Sequence, residues 1–189
     1  MASVRTQALA AASLALLAGP ALAQPPTAPP PLATPNAHYI AIVMEQEVAR
    51  PAAEVWKTVG KYCDIAAWSP GLKCEIVAGK DGELGSVRQL NGATLEVMVA
   101  KTDLSYTYAQ PVRVGQVYNM YHGTLEAKPV TGKTSKLVYS LVLDQSMLAD
   151  DAARKADVER RSTRFTQALK DMKTLAEGGK LPPPATPAR

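Results

Sequence analysis

PAAEVWKTVGKYCDIAAWSPGLKC, residues 51–74, reads as one helix, a second short helical turn and a hard stop. Pro51 brings a φ already suited to a first helical turn, and Glu54 puts a negative charge where the helix dipole favours one. Val55, Val59 and Tyr62 recur at helical spacing, as do Trp56, Gly60 and Cys63. Glycine weakens a helix, so Gly60 points to close packing or to an approaching helix end. Trp68-Ser69-Pro70-Gly71 then forces a turn, because the residue before a proline avoids the α region. Cys74-Glu75-Ile76-Val77 follows as a strand.

On either side of this stretch the chain reads mostly as strand. His38–Arg50 (HYIAIVMEQEVAR) is a long first strand. After Cys74 come Leu84–Leu90 (LGSVRQL) and Thr94–Asp103 (TLEVMVAKTD), separated by the turn pair Asn91-Gly92. Ser105–Gln110 is next, with Tyr106 and Tyr108 on one face because strand side chains alternate. Pro111–Gly115 breaks the run. Val117–Lys128 and Lys136–Gln145 are the last two strands, joined by a turn over Pro129–Ser135. Hairpin-joined strands in this order form an antiparallel meander. Asp150–Glu177 closes the chain as a helix about 40 Å long at the usual rise per residue. Val158, Phe165 and Met172 fall a heptad apart on it, with Ser162, Leu169 and Ala176 between them, and Gly178-Gly179 stops it. A stripe of small, soft residues suits a roof over a space better than a tight core.

The ends of the chain differ in composition from this middle. Residues 1–23 read as a secretory signal: Arg5, an apolar run over Ala8–Ala18, and the small-residue site Ala21-Leu22-Ala23 before Gln24. The apolar run is too short to span a bilayer, although an uncleaved N-terminal anchor is the alternative. Residues 24–37 are a proline-rich spacer, and residues 180–189 repeat that composition. The folded domain is therefore placed at residues 38–179, and the protein is expected to be periplasmic or secreted. With 189 residues, one domain suffices and can bury a core without metal or cofactor. A net charge of +4, with basic and acidic side chains interleaved along the last helix, looks like a solvated face and argues against nucleic acid as partner.

The order of elements, together with Val55-Trp56, Val59-Gly60, Trp68-x-Pro70-Gly71, Cys74-Glu75 and Gly85-x-Val87-Arg88-x-Leu90, resembles the START and Bet v 1-like superfamily, in particular its polyketide cyclase/dehydrase-like proteins. Tyr106-x-Tyr108 and Tyr121-x-x-Thr124-Leu125 resemble that family's central strands. The likeness spans nearly all of residues 38–178. It implies an α+β helix-grip fold, in which a curved antiparallel sheet wraps a long C-terminal helix and leaves a cavity between them. Relatives hold apolar small molecules, lipids or polyketide-like rings there, and a few do chemistry on them. One departure matters: many relatives carry a His between the Trp and the Pro, where this chain has Ser69.

Few residues are candidates for chemistry. Cys63 and Cys74 are the only cysteines, in a chain expected to enter an oxidising compartment. A bridge between them would close a short loop around the Trp68-Pro70 turn and contribute about 3 kcal/mol; two separate buried thiols are the alternative. No histidine neighbours them, which argues against a metal. Seven tyrosines against a single Phe suit a concave apolar space with a few orienting hydroxyls. Strand parity and the resemblance together put Tyr121, Asn119 and Leu125 toward the cavity. The expected ligand-lining set is Trp68, Tyr106, Tyr108, Asn119, Tyr121, Leu125, Tyr139, Phe165, Leu169 and Met172. Glu96, in an apolar strand, is a candidate acid or base if it faces the cavity and an ordinary solvent-facing Glu if it does not. Arg88 is a partner for it or for a ligand carboxylate.

Three functions fit. The first is an exported protein holding an apolar or lipid-like small molecule between sheet and helix. The second is a cyclase or dehydratase using Glu96 and a tyrosine such as Tyr121 as acid and base. The third is an envelope protein that docks a partner and has a filled core. A carboxylate in the cavity near a tyrosine hydroxyl would favour the second; an all-apolar lining would favour the first.

Overall fold

The alternating segments pair into one antiparallel sheet of seven strands. The computed structural model of the chain describes residues 36–112 and 118–183. The expected export signal, most of the spacer, the end of the tail and most of the 111–115 loop lie outside the described residues. In order, the elements are β1 (Tyr39–Val48), α1 (Ala52–Val59), α2 (Ile65–Trp68), β2 (Cys74–Ala78), β3 (Val87–Leu90), β4 (Thr94–Thr102), β5 (Ser105–Ala109), β6 (Asn119–Pro129), β7 (Ser135–Asp144) and α3 (Asp151–Ala176). Strands run β1-β7-β6-β5-β4-β3-β2 across the sheet. All but the β1–β7 pairing join sequence neighbours, so the meander is closed at one edge by the N-terminal strand. This is the helix-grip α+β fold: the curved sheet holds α3, which also packs against α1 and α2.

Local chemistry explains the boundaries. Trp56 folds its ring over Gly60, where any Cβ would collide with the indole; Gly60 is also the C-cap of α1, so both readings of that glycine hold. Gly71, at φ 89°, turns the chain after Pro70 into β2. Cys63 and Cys74 are joined by a disulfide, with Cα atoms 5.5 Å apart, which staples the α1–α2 corner to the start of β2. Asp150 caps α3 by accepting from the Ala153 backbone N–H at 2.7 Å. One expected strand is shorter than its sequence implied. Leu84–Ser86 belongs to a turn, because Gly85 adopts φ 80° and Leu84 is 62% exposed.

The concave face carries the core. Ile42, Met44, Leu125, Ala127, Leu137, Tyr139, Leu141 and Leu143 meet Phe165, Leu169 and Met172 of α3. Each such aliphatic or aromatic side chain stabilises the fold by about 1.5–3 kcal/mol through burial. The inward stripe of α3 differs from the expected heptad of Val158, Phe165 and Met172 with Ser162, Leu169 and Ala176. It runs Asp157, Arg161, Phe165, Ala168, Leu169 and Met172, all buried, while Val158, Ser162 and Ala176 are only half-buried. The charges of this helix are therefore not one solvated face, because Asp157 and Arg161 point into the protein.

Candidate functional site

Toward one end of the concave face the sheet and α3 do not close on each other. A cavity of about 440 Å³ remains. The corner of α2 supplies Ile65, Trp68, Ser69 and Leu72; the sheet supplies Leu90, Thr94, Glu96, Tyr108, Gln110 and Tyr121, with Tyr118 just before β6. The third wall is α3, with Arg160, Arg161, Arg164, Phe165 and Ala168. A groove outside the corner shares Ser69, Leu72, Asn91, Arg164 and Ala168 with this lining, so the hollow continues to the surface between α2, the β3–β4 turn and α3.

Two small residues shape the space. Gly123 lies opposite Tyr108 in the β5–β6 register, and a Cβ there would collide with the Tyr108 ring. That ring lies over bare backbone, and its hydroxyl shares a hydrogen bond with that of Tyr139 at 2.9 Å. Ala168 leaves the roof low on side-chain volume where the cavity lies beneath it.

Two buried ion pairs organise the polar groups. On the sheet, Arg88 and Glu96 are direct cross-strand partners, 0% and 3% exposed. Arg88 Nε donates to Glu96 Oε2 at 2.7 Å, and a second guanidinium nitrogen donates to the Tyr62 carbonyl. The guanidinium carbon lies 4.2, 4.9 and 5.6 Å from the ring centres of Tyr62, Tyr108 and Tyr106. The other carboxylate oxygen of Glu96 accepts from Gln110 Nε2 at 2.9 Å, and Tyr118 donates its hydroxyl to Gln110 Oε1 at 2.6 Å. On α3, Arg161 Nε donates to Asp157 Oδ2 at 2.7 Å, and Gln145 supports the same oxygen at 2.9 Å. Arg160 reaches the other oxygen of Asp157. Arg161 lies against two rings of the cavity wall, with its carbon 4.9 Å from the Tyr118 centre and 5.1 Å from that of Tyr121.

These neighbours set protonation. Burial pushes the Tyr121 hydroxyl up to about 12, against the opposing pull of Arg161. Burial likewise raises Tyr108 and Tyr139 well above an ordinary tyrosine. All three remain neutral hydroxyls across the physiological range. For Asp157, burial works upward but is outweighed by the hydrogen bonds of Arg161 and Gln145 and the charges of Arg161 and Arg160, so its carboxyl titrates below the usual range.

The structure brings together some of the expected residues and separates others. Trp68, Tyr108, Tyr121 and Phe165 line the cavity, and Glu96 lines it with them. Tyr106 does not; it faces a separate hollow of about 390 Å³ with Trp56, Tyr62 and Met98, on the far side of Arg88. Leu125, Tyr139, Leu169 and Met172 are fully buried in the packed core and do not line the cavity. Asn119 is set apart from Tyr121 by a bulge between Asn119 and His122, with Met120 at φ 48°, and its amide serves Asp144 instead. Strand parity does not survive such a bulge. The lining is also not all apolar. Arg160, Arg161, Arg164 and Gln110 were not among the expected lining, yet a signal existed: stepping back by four from Phe165 lands on Arg161 and then on Asp157.

Comparison with known proteins agrees with this geometry. A family model described as polyketide cyclase / dehydrase and lipid transport matches residues 39–177. A solved protein of Nitrosospira multiformis is 27% identical, covering 71% of this chain and 94% of its own, with a TM-score of 0.59. Norcoclaurine synthase from Thalictrum flavum, solved with dopamine and hydroxybenzaldehyde, is 16% identical over 77% of this chain and 91% of its own, at TM-score 0.58. Ara h 8.0201 is 18% identical over 74% of this chain and 98% of its own, at 0.56. These last two likenesses concern the fold. Among curated proteins none matches the chain.

Proposed function

Because the chain belongs to the polyketide cyclase / dehydrase and lipid transport family of the START/Bet v 1-like superfamily, we propose that it is an exported binding protein that holds a small organic molecule in the cavity under α3. The observation that carries this reading is the hollow itself: about 440 Å³, walled by Trp68, Tyr108, Tyr121, Leu90 and Phe165, and continuous with a surface groove. Concave, mainly aromatic sites with a few fixed polar groups are what small-molecule recognition requires. Burying an apolar body against these rings provides the driving force, and the Tyr121 hydroxyl and Gln110 set its orientation. The same fold in norcoclaurine synthase holds dopamine and hydroxybenzaldehyde, so phenolic molecules suit this architecture. Export is part of the proposal and is supported by the disulfide, a bond that persists in oxidising compartments.

Glu96 and Tyr121 share the cavity, which is the observation favouring a cyclase or dehydratase. Both oxygens of Glu96 are engaged, by Arg88 and by Gln110, and Tyr121 holds its proton tightly. Such a pair orients a ligand better than it moves a proton.

Native mass spectrometry of the protein gently extracted from its own cell tests the reading. A retained organic molecule is expected, lost in Ala168→Trp, which fills the roof. The mature chain should begin at Gln24. A protein that carries no molecule and takes up no apolar or aromatic probe, with the Trp variant behaving identically, overturns it.

A further inference from the structure

Charge is unevenly distributed around this cavity. Among the described residues the one carboxylate in its lining, Glu96, is matched by Arg88. On the α3 wall Arg160, Arg161 and Arg164 stand against the single carboxylate of Asp157, which Arg160 and Arg161 share. Three positive charges less one leaves a surplus of two on one wall. Arg164 is exposed, touches the Phe165 ring with its carbon 5.7 Å from the centre, and has no ion-pair partner among the described residues. It lines both the cavity and the outer groove, so it stands where interior meets solvent. Asp171, the acidic residue of that groove, is held by Gln167 at 2.9 Å.

We propose that the ligand is an organic anion: an aromatic or acyl body lodged against Trp68, Leu90 and Phe165, with a carboxylate or sulfonate head bound by Arg160 and Arg164 at the mouth. This rests on the reading that the cavity is a ligand site. Guanidinium groups pair with such heads through two parallel N–H···O bonds, which fixes orientation as well as charge. Low-dielectric walls strengthen the attraction of a partly enclosed positive surplus for an anion. Arg161 serves as the fixed member: its Nε is spent on Asp157 and its face on Tyr118 and Tyr121, so it adds field without needing to move. Arg164, exposed and without an ion-pair partner among the described residues, is free to adjust to the head group, and Arg160, exposed but tethered to Asp157, adds a second guanidinium beside it.

Two dyes with a shared ring framework supply the test: 8-anilinonaphthalene-1-sulfonate, which carries the anion, and N-phenyl-1-naphthylamine, which lacks it. Fluorescence titrations of the full chain should give an affinity at least about tenfold tighter for the sulfonate. That preference should shrink as salt rises from about 20 to 300 mM. In Arg160→Gln/Arg164→Gln, two exposed substitutions, the ratio of the two affinities should fall to about one. Circular dichroism melts establish that this variant is folded. Equal affinities in the native protein, or a preference that survives both substitutions, overturn the anion assignment and leave the cavity reading standing. If neither dye binds, or if Ala168→Trp changes neither, both readings fail.

Discussion

The two buried arginine–carboxylate pairs are made from the same groups and face different fates. Arg88 and Glu96 sit opposite each other on paired strands, with tyrosine rings around the guanidinium and almost no exposure. Arg161 and Asp157 lie one turn apart on a helix, 7% exposed each, with a second arginine reaching the same carboxylate from outside. Coulomb attraction must repay a large desolvation cost in the first case, and only in part in the second, where water and a further cation are near. The sheet pair is a sealed structural contact: Glu96 borders the cavity of about 440 Å³, and Arg88 is packed against Tyr62 and Tyr106, which line the hollow of about 390 Å³. The helix pair belongs to a charged wall, with Arg160 and Arg161 lining the cavity.

The contrast is broken most severely at Arg88. Arg88→Met strands a buried Glu96 and should cost about 3–5 kcal/mol in urea unfolding, whereas Arg88→Met/Glu96→Leu should recover most of that loss. A single variant as stable as the parent would mean that Glu96 is not held as a buried charge. Removing the disulfide with Cys63→Ser/Cys74→Ser should cost about 3 kcal/mol. Because that bond staples the corner bearing Trp68, dye affinity at the charged cavity should fall with it. Unchanged binding would detach the corner from the site. Gly123→Ala drives a methyl into the Tyr108 ring and should cost about 1–3 kcal/mol, read as a lowered melting temperature. Since Tyr108 lines the cavity and lies against both Arg88 and Tyr121, this variant sharpens the comparison by disturbing the cavity wall beside the sheet pair.

The smallest effect is expected at the helix. Asp157→Asn should lower stability by about 1 kcal/mol at neutral pH and tighten the binding of an anion, because Arg160 and Arg161 lose the negative charge they share. The pH dependence has a definite sign. A carboxyl held below its unfolded value, near 3.9, contributes stability that is complete above that value and is lost as pH falls through the lower folded one. Unfolding curves from about pH 5 to pH 2 should therefore converge for the parent and Asp157→Asn. Curves that stay parallel would show that Asp157 is not stabilised by Arg161 and Gln145.

The helical corner, the meander and the terminal helix were all legible before any coordinates, because proline, glycine and side-chain alternation act over a few residues. What was not legible was produced at longer range. A bulge between Asn119 and His122 shifted Asn119 out of phase with Tyr121, and nothing in the local sequence announces it. The heptad phase through Val158 and Met172 marks the buried face of α3 at its C-terminal half but not Arg161 and Asp157, since charged side chains on a helix ordinarily face solvent. They turn inward because Gln145, just after β7, and the rings of Tyr118 and Tyr121, just before and early in β6, are waiting there. Glu96 was open between core and surface until its cross-strand neighbour was known.

The pairing of β1 with β7, Tyr39 against Asp144 and Val48 against Ser135, has a temporal meaning as well. The first strand to be synthesised has no neighbour until the last one exists, and such distant closure slows folding. A polypeptide threaded through a translocation pore must stay unstructured on the way. For a chain exported as proposed above, the wiring of the sheet itself would supply that delay, with the long terminal helix arriving last to lock the assembled grip.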